Sequence, residues 1–486
     1  MPVAGIAFKL RRYTEDASFL GILKGYTYSA MIVAGPWLVS ATVLGVLVLF
    51  IQDEVKLLPA IIMYIFCFSQ IYVGIYQFVV TRFLADGIYN RKLDLYIPTF
   101  MGVLLLTLIP QALIAGFFLF TLEIPFLFRL FSFLAYLLIS VIWIVLLFLG
   151  ILRAYQWVVW SFIIGGCISL ITGIVCGGYF QQTGILFGFV AGQAVILAIL
   201  IWVFLSEFSW EKMIDFSFLS YFRLYPALSI LGLFYYLSIW VDKFVYRASS
   251  LGDLVAPKWL YAAPDYEMPA FIAQLTIIPA LAIFFLKAET DFYIRFREFF
   301  SAIAQRHPFH MIEAYKNAII RSVKEGSFVV LKFQGTISFI SILIAPQLLS
   351  RWLDETQIAI LRILLVGTFF QMCLFLTIIL MLYLEMFRQA LISCTLFFLG
   401  NGLLTTVFLY VPLTPGYGYT LSASCASIYA ALSLMTSLKR LPEIVFMKQL
   451  KPPVIAHRSS LYRKDGLTLY RLEPTRGRRK RIYVRL

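Results

Sequence analysis

The sequence contains few charged residues for its length. Of its 486 residues, 13% are charged and 61% are hydrophobic, whereas a soluble globular domain carries about 25% charged residues. This shortage excludes a soluble single globule, and the abundance of apolar residues excludes a disordered chain. The charge that is present is unbalanced, since 40 basic residues against 25 acidic ones give a net charge of +15. The composition predicts a polytopic membrane protein whose positive charge lies outside the lipid.

Residues that carry enzyme chemistry are also scarce. Three histidines, His307, His310 and His457, all lie in predicted loops. Two of them share helical spacing with Glu313, but this trio follows a proline and lacks a fourth metal ligand. The sequence has no GxxxxGK[ST] nucleotide loop and no CxxC pair, and its six cysteines fall within apolar stretches. We therefore predict a protein that is not an enzyme and that holds no cofactor and no metal ion.

Long apolar stretches fill most of the chain. A bilayer core about 30 Å thick requires roughly 20 apolar residues per helix. Twelve stretches reach this length: 27–51, 57–80, 96–121, 130–151, 157–179, 184–205, 224–245, 268–286, 327–349, 358–384, 389–411 and 417–438. They show no extended polar alternation, which disfavours a transmembrane β-barrel. The sequence predicts an all-α polytopic membrane protein of about 12 transmembrane helices, and the glycine-rich fifth stretch is expected to pack closely against a neighbour.

The distribution of Lys and Arg predicts the orientation of these helices. If the amino terminus is cytoplasmic, 32 of the 40 basic residues lie in cytoplasmic segments, 6 lie outside and 2 lie within spans. Positive charge accumulates on the cytoplasmic side of membrane proteins, so this division predicts that both termini are cytoplasmic. The first 25 residues lack the features of a secretory signal peptide, and we expect insertion through the first transmembrane helix.

The spans divide six and six around a short loop. The predicted segments are an amphipathic cytoplasmic segment at 1–25, a bundle at 26–205, a cytoplasmic linker at 206–223, a second bundle at 224–438 and a tail at 439–486. The second bundle contains a charged, aromatic interfacial loop at 287–326. Many transporters consist of two such halves with the substrate path between them. However, any twelve-span protein divides by two, and no residue-level repeat is visible here.

Most of the excess charge lies in the tail. Residues 439–486 contain 14 basic and 3 acidic residues, with RGRRKR at 476–481 as the densest run. Such a run is typical of a segment that fixes topology or contacts anionic lipid, at about 1 kcal/mol per basic residue near the surface. A contact with a partner protein is the alternative. In a membrane protein of this kind we expect no nucleic acid partner.

Polar side chains recur at membrane depth along several spans. The candidates for a substrate path are Gln70, Tyr76, Gln77, Tyr235, Asp242, Glu267, Gln274, Lys332, Gln334 and Arg362. Polar stripes rich in aromatic residues suit a hydrated path for a carbohydrate, because rings stack on sugars and amides bind hydroxyl groups. Hydrogen bonding between helices uses the same residue types. Lys332 can either face a cavity or extend to the cytoplasmic interface.

Several segments carry a family resemblance. They are AGIAFKLRR at 4–12, GILKGYTYSAMIVAGPWLVS at 21–40, RFLADGIYNRK at 82–92, IWVDKFVY at 239–246 and FIAQLTIIPALAIFFLKAETDFYIRFREFF at 271–300. In this order the chain resembles the PelG family over about residues 4–440. The basic tail lies outside the resemblance.

The resemblance implies a fold, a function and partners. PelG proteins belong to the multidrug/oligosaccharidyl-lipid/polysaccharide flippase superfamily, so the expected fold is two six-helix bundles around a central cavity. The expected function is export of the amino-sugar-rich Pel exopolysaccharide across the bacterial inner membrane. The implied partners are a PelF-like cytoplasmic glycosyltransferase and PelD- and PelE-like membrane proteins. A lipid-linked oligosaccharide flippase and a non-transporting scaffold of a synthase complex remain alternatives, and the energy source stays open between an ion gradient and polymerisation.

Three sets of residues within these segments also have expected physical roles. Gly35 and Pro36 interrupt the first span and predict either a hinge for alternating access or a fixed kink. Glu289, Tyr293 and Arg297 recur every four residues in the interfacial loop, and we expect this face to dock the glycosyltransferase. Asp242 at the outer end of the seventh span is expected either to pair with its neighbour Lys243 or to line the cavity mouth.

Overall fold

The computed structural model describes residues 57–90, 95–150, 155–207, 213–257, 259–287 and 291–450, together with positions 35, 43 and 45. The helices are α1 (Leu57–Tyr89), α2 (Tyr96–Thr121), α3 (Phe126–Leu149), α4 (Tyr155–Glu207), α5 (Leu219–Leu224), α6 (Pro226–Arg247), α7 (Pro264–Leu275), α8 (Ile277–Lys287), α9 (Tyr293–Ala304), α10 (Phe309–Leu349), α11 (Glu355–Tyr383), α12 (Phe387–Phe408), α13 (Tyr417–Lys439) and α14 (Leu441–Leu450). The strands β1 (Asp253–Ala256) and β2 (Leu260–Ala262) pair antiparallel between α6 and α7.

The predicted membrane-spanning fold is confirmed. The described residues contain ten helical segments long and apolar enough to cross a membrane. One of them, α4, contains two of the predicted spans, because its backbone leaves the helical conformation at Phe180 and Gln181. The first predicted span, 27–51, lies outside the described residues apart from Gly35, Val43 and Gly45. Each of the other eleven predicted spans therefore corresponds to an observed helix.

The two halves of α4 pack closely through glycine, as the sequence predicted for the fifth span. A Cβ atom on Gly192 would lie 2.5 Å from the carbonyl oxygen of Gly165, and one on Gly188 would overlap the backbone of Gly173. Gly184 likewise faces the backbone of Cys176. Such close approach of helix backbones is the usual means of association in lipid, where apolar side chains gain little by leaving the bilayer.

Helix α10 is longer than a membrane requires. Its 41 residues extend about 60 Å at 1.5 Å per residue, roughly twice the apolar thickness of a bilayer. Its second half corresponds to the predicted span 327–349. Its first half packs against α9, so that residues 293–326 form a helical hairpin that is continuous with a transmembrane helix. The sequence predicted an interfacial segment here, and the structure shows that its second half is the beginning of the same helix that forms the span.

The transmembrane helices form two groups. Helices α1 to α4 pack against one another in the N-terminal group, while α6 to α8 and α10 to α13 form the C-terminal group. Helices α1 and α6 run antiparallel along most of their length, and their contact is the seam between the groups. At its middle, a Cβ atom on Gly74 would lie 2.6 Å from the carbonyl oxygen of Gly232, so the two backbones nearly touch.

The seam has two distinct ends. We call them outer and inner after the orientation that the sequence predicts. At the outer end, where α1 begins and α6 finishes, the β1–β2 hairpin contacts α1, and the Tyr64 hydroxyl donates to the carbonyl oxygen of Tyr261 at 3.1 Å. At the inner end, where α1 finishes and α6 begins, lie α5 and the turn between α11 and α12. Helix α14 belongs to a separate compact unit that begins at Leu441. The tail beyond residue 450 lies outside the described residues.

Candidate functional site

Hydrogen bonds cross the seam from the N-terminal to the C-terminal group. The buried Gln70 side chain accepts a hydrogen bond from the indole nitrogen of Trp240 at 3.1 Å. Two turns further along α1, Gln77 accepts from the Tyr236 hydroxyl at 3.0 Å. The Ser229 hydroxyl donates to the carbonyl oxygen of Ile75 at 2.7 Å. Two of the predicted path residues, Gln70 and Gln77, therefore lie on the seam and bind aromatic side chains of the opposite group.

Two buried ion pairs, Asp242–Lys243 and Arg247–Glu267, lie at the outer end of the C-terminal group, and we call them together the outer network. Asp242 and Lys243 pair at 3.3 Å, with 1% and 4% of their side chains exposed. Asp242 also accepts from the Tyr266 hydroxyl at 2.5 Å. Arg247 pairs with Glu267, and both side chains are buried. Of the two alternatives predicted for Asp242, pairing with Lys243 is observed. Whether Asp242 also lines a cavity mouth stays a prediction, and the four charges together are neutral.

This charged network extends to the seam through its cations. The Arg247 guanidinium stacks over the Tyr64 ring of α1 at 4.2 Å, and the Lys243 ammonium lies 5.5 Å from the centre of the Trp240 ring. Cations over aromatic faces are attracted by about 0.5–2 kcal/mol, more when desolvated. The Nη2 atom of Arg247 is buried and has no hydrogen-bond partner among the described residues. The outer end of the seam is therefore held by desolvated charge.

A second polar cluster lies inside the C-terminal group, where the eighth predicted span is divided. Helices α7 and α8 meet at Thr276. Next to this junction, the Gln274 amide donates to Gln371 at 2.8 Å and to the Tyr419 hydroxyl at 3.1 Å. The fully buried Gln334 donates to Thr276 at 3.5 Å. Gln274, Tyr419 and Asp242 lie near one another, beside Leu364 and Thr368 of α11. Divided helices with polar neighbours are typical of transporter binding sites.

The structure separates the remaining path candidates from these clusters. Lys332 is exposed on α10 beside the exposed rings of Phe328 and Phe333. Arg362 is exposed on α11 beside Val366, on a face opposite the buried side of that helix. Neither cation contacts the seam or the outer network, so their roles in a substrate path remain predictions.

Two more candidates are aromatic and lie on the two seam helices. Tyr76 is buried, and its hydroxyl has no hydrogen-bond partner in the part of the chain that the structure describes. Tyr235 is half-buried, and its ring contacts Tyr236 and Phe375 at centroid distances of 5.4 and 5.8 Å. Both residues therefore flank the seam hydrogen bonds without taking part in them.

The hinge and docking candidates are only partly described. A Cβ atom on Gly35 would lie 2.8 Å from the Phe162 ring, so this position packs tightly against α4. Pro36 and Glu289 lie outside the described residues. On α9, Tyr293 is half-buried and Arg297 is exposed. These observations leave the hinge and the docking face as predictions.

Sequence reasoning missed the partners of these residues. Four residues that complete the seam and the two polar clusters were not among the candidates: Trp240, Arg247, Tyr266 and Tyr419. Each of them lies on a different helix from the candidate residue that it contacts. The available signal was the opposite charge of Arg247 and Glu267 at the two ends of one predicted outer loop. The spacing of polar residues within a single helix gives no information about which neighbouring helix they face.

Comparison with known families and structures identifies the fold. The family model described as "PelG: Putative exopolysaccharide Exporter (EPS-E)" matches residues 3–446. Among curated protein sequences, none is similar enough to count as a match. Solved structures of multidrug transporters are similar in fold. For an outward-facing MATE transporter of the MOP superfamily, the TM-score is 0.59 at 12% identity, covering 86% of this chain and 96% of that chain.

Structures of MATE transporters in other states are similar to this chain to about the same degree. An inward-facing MATE transporter matches with a TM-score of 0.56 at 13% identity, covering 86% of this chain and 95% of that chain. A MATE structure in complex with MaL6 also gives 0.56 at 13% identity, with coverage of 86% and 96%. The TM-scores establish the fold, and at identities this low they establish the fold alone. The match over residues 3–446 establishes the family. The chain therefore belongs to the PelG family of exopolysaccharide exporters, and it has the two-bundle membrane fold of the MATE transporters.

Proposed function

We propose that this protein exports a Pel-type, amino-sugar-rich exopolysaccharide across the bacterial cytoplasmic membrane along the seam between its two helix groups. Membership of the exporter family and the transporter fold support this proposal. Export is a transport step, and the proposal assigns the chain no catalytic residue and no cofactor. Synthesis of the polymer belongs to a cytoplasmic glycosyltransferase.

The observation that carries the proposal is the pair of amide–aromatic hydrogen bonds across the seam, Gln70 with Trp240 and Gln77 with Tyr236. When the two groups separate, each amide and each ring loses its partner. Sugar hydroxyls can then replace the lost hydrogen bonds, and the rings provide faces on which a sugar stacks. The same groups thus stabilise the closed seam and bind substrate in the open one.

The proposed movement is a separation of the two groups about their line of contact. Gly35 and Pro36 in the first span are the proposed hinge, and the tight contact of Gly35 with Phe162 would couple that hinge to α4. The buried path candidates Asp242, Glu267 and Gln334 and the half-buried Gln274 lie within the C-terminal group. We assign them to the support of the seam wall, since their partners occupy them in the closed form.

The proposed orientation places the inner end of the seam and both termini in the cytoplasm. It rests on the basic residues at that end, which include Arg82, Arg223 and Arg388. The test uses single cysteines introduced at Trp352 and at the carboxyl terminus in a chain without its native cysteines. We expect an impermeant maleimide to label the first from the periplasm only and the second from the cytoplasm only. The reverse pattern would invert the proposed direction of transport.

The proposed partners are a PelF-like glycosyltransferase on the cytoplasmic hairpin, PelD- and PelE-like membrane proteins, and anionic lipid at the basic tail. Arg297 is exposed on α9 and is the docking residue that the structure leaves most accessible. We expect Arg297→Glu to weaken capture of the glycosyltransferase by the solubilised transporter. Arg321→Glu, an exposed change on the other helix of the same hairpin, is the control.

The test of export compares two substitutions of a hydrogen-bonded glutamine by leucine, one on the seam and one within the N-terminal group. We expect Gln77→Leu to reduce secreted polymer per inserted transporter by about tenfold, the effect of losing roughly 1.4 kcal/mol of substrate interaction. Gln111 lies within the N-terminal group, where it accepts hydrogen bonds from Tyr136 and Ser140. Gln111→Leu should lower stability but leave export per inserted transporter within about twofold. Equal losses in both variants would contradict a substrate path along the seam.

The fold is similar to that of multidrug transporters of the MOP superfamily. The family resemblance places lipid-linked oligosaccharide flippases in the same superfamily, so a flippase is the second candidate. Vesicles containing the purified protein separate the two. Uptake of a nascent free polymer supports the exporter, whereas uptake only of a lipid-linked oligosaccharide supports the flippase. Transport of neither substrate, with normal periplasmic polymer in a strain lacking the protein, would support a scaffold.

A further inference from the structure

The inner end of the seam carries its own set of contacts between the two groups. Arg82, near the end of α1, pairs with Glu385 in the turn between α11 and α12 at 2.7 Å. The same guanidinium lies 5.6 Å from the centre of the Tyr225 ring at the start of α6. Arg82 therefore joins the N-terminal group to two elements of the C-terminal group. We call Arg82, Asp86, Tyr221, Tyr225 and Glu385 the inner latch.

The connecting segment between the groups also takes part in the inner latch. The Tyr221 hydroxyl, on α5, donates to Asp86 of α1 at 3.0 Å. Burial and the neighbouring Asp86 carboxylate raise the pKa of Tyr221 to about 12, so the hydroxyl keeps its proton at neutral pH. Asp86 also lies 3.5 Å from Arg82. The arginine is thus held by one carboxylate from its own helix and one from the opposite group.

The backbone at Glu385 supports a functional role for its carboxylate. Its φ is +56°, one of three positive values among the described residues other than glycine. A left-handed conformation costs a side-chain-bearing residue free energy that glycine would avoid. A strained position occupied by a charged residue is a reason to ask what that residue does. Here the carboxylate is the group that reaches Arg82.

The two ends of the seam differ in how readily they can open. At the outer end, Arg247 and Glu267 are 4% and 8% exposed, so separating them would leave a charge unpaired in a dry site. At the inner end, Arg82 and Glu385 are 29% and 41% exposed. Water can replace a half-exposed partner at small cost. The groups therefore part more easily at the inner end.

From these contacts we propose that the inner latch is the cytoplasmic gate of the transporter, and that rupture of the Arg82–Glu385 pair opens the seam to the cytoplasm. The proposal that the inner latch opens and closes depends only on the contacts described above. Its role in admitting polysaccharide rests on the function proposed above. In this arrangement the pair stabilises the closed form, and an opening would expose Ser229 first and then Gln77 and Tyr236.

The test measures opening without any substrate. A reporter, Ser229→Cys, is placed one turn inside the inner end of the seam in a chain whose six native cysteines are replaced. We expect Arg82→Glu and Glu385→Arg each to increase labelling of the reporter from the cytoplasmic side by about fivefold, which corresponds to ~1 kcal/mol. The double variant, which restores the pair with its charges exchanged, should return labelling to within about twofold of the parent.

Two controls keep the proposal falsifiable. Glu385→Gly retains a residue suited to the left-handed turn but lacks the carboxylate, so we expect increased labelling with no loss of thermal stability. Arg295→Glu reverses the charge of a cytoplasmic surface pair with Glu298 and should leave labelling unchanged. Unchanged labelling in the single variants, or a double variant as open as either single one, would overturn the gate. Labelling that follows the expectation while polymer secretion stays normal would leave the gate standing and count against the proposed function.

Discussion

Arg247 and Glu267 form an ion pair whose removal should be costly, because both side chains are buried. We expect Glu267→Gln to destabilise the folded protein by about 3–5 kcal/mol, since it leaves the guanidinium unpaired in a desolvated site. Thermal unfolding of the purified protein in detergent measures this loss.

The control for this change is another glutamate of an ion pair, Glu298 on α9. Its pair with Arg295 is 39% and 52% exposed, and exposed pairs contribute about 0–1 kcal/mol. We therefore expect Glu298→Gln to leave the unfolding temperature nearly unchanged. If Glu267→Gln and Glu298→Gln reduce the stability equally, the Arg247–Glu267 pair is not desolvated in the folded protein.

Gly74 provides a second test at the residue scale. A Cβ atom there would meet the carbonyl oxygen of Gly232 at 2.6 Å and the Tyr236 ring at 2.8 Å, so Gly74→Ala must push α1 away from α6. We expect a loss of about 1–3 kcal/mol in stability, the usual cost of overpacking. Gly116→Ala is the matched control, since its nearest neighbour would be the Phe133 ring at an ordinary 3.7 Å. A stable Gly74→Ala variant would contradict a close seam.

The sequence was sufficient to predict which polar residues lie within apolar spans, but it did not predict which residues they contact. Asp242 and Gln70 attract notice because polar groups at membrane depth are costly, so they must be bonded or hydrated. Which helix satisfies them depends on packing between segments separated by as many as 170 residues, as for Gln70 and Trp240. Lys332 and Gln334 lie two residues apart on α10, yet one is exposed and the other fully buried. Hydropathy alone cannot separate such neighbours.

At the element scale, apolar length predicted where helices cross the membrane but not how they continue. Eleven predicted spans correspond to helices, because about 20 apolar residues leave a chain in lipid no other way to satisfy its backbone. The extension of α10 beyond its span and the division at Thr276 were not predicted. Both features arise from packing: α9 supports the first, and a hydrogen bond from Gln334 accompanies the second.

The close packing within α4 yields a prediction at this scale. Gly188 lies against the backbone of Gly173, so Gly188→Ala should separate the two halves of α4 and destabilise the N-terminal group by about 1–3 kcal/mol. Gly178→Ala, in the same element, meets nothing within 4 Å and should be neutral or slightly stabilising. Thermal unfolding compares the two. Equal stability of both variants would show that backbone contact does not join the halves.

At the scale of the whole molecule, the excess charge and the proposed transport path occupy different parts of the chain. Residues 439–486 carry a net charge of +11, whereas the remaining residues carry only +4. The seam, the outer network and the inner latch all lie before residue 440. The family match ends at residue 446, so most of the basic tail is an addition to the shared fold.

This separation predicts that a chain ending at residue 450 keeps its fold and its seam. Removing residues 451–486 deletes 11 basic and 2 acidic residues, and with them about 1 kcal/mol of attraction to anionic lipid for each basic residue near the surface. We expect unchanged thermal stability and unchanged reporter labelling at Ser229→Cys, but fewer anionic lipids retained on purification, as measured by native mass spectrometry. A full-length chain with Arg476–Arg481 replaced by uncharged residues should lose lipid to an intermediate degree, because it keeps the other basic residues of the tail. Equal retention in all three proteins, or loss of stability on truncation, would show that the tail acts on the transporter fold rather than on the lipid surface.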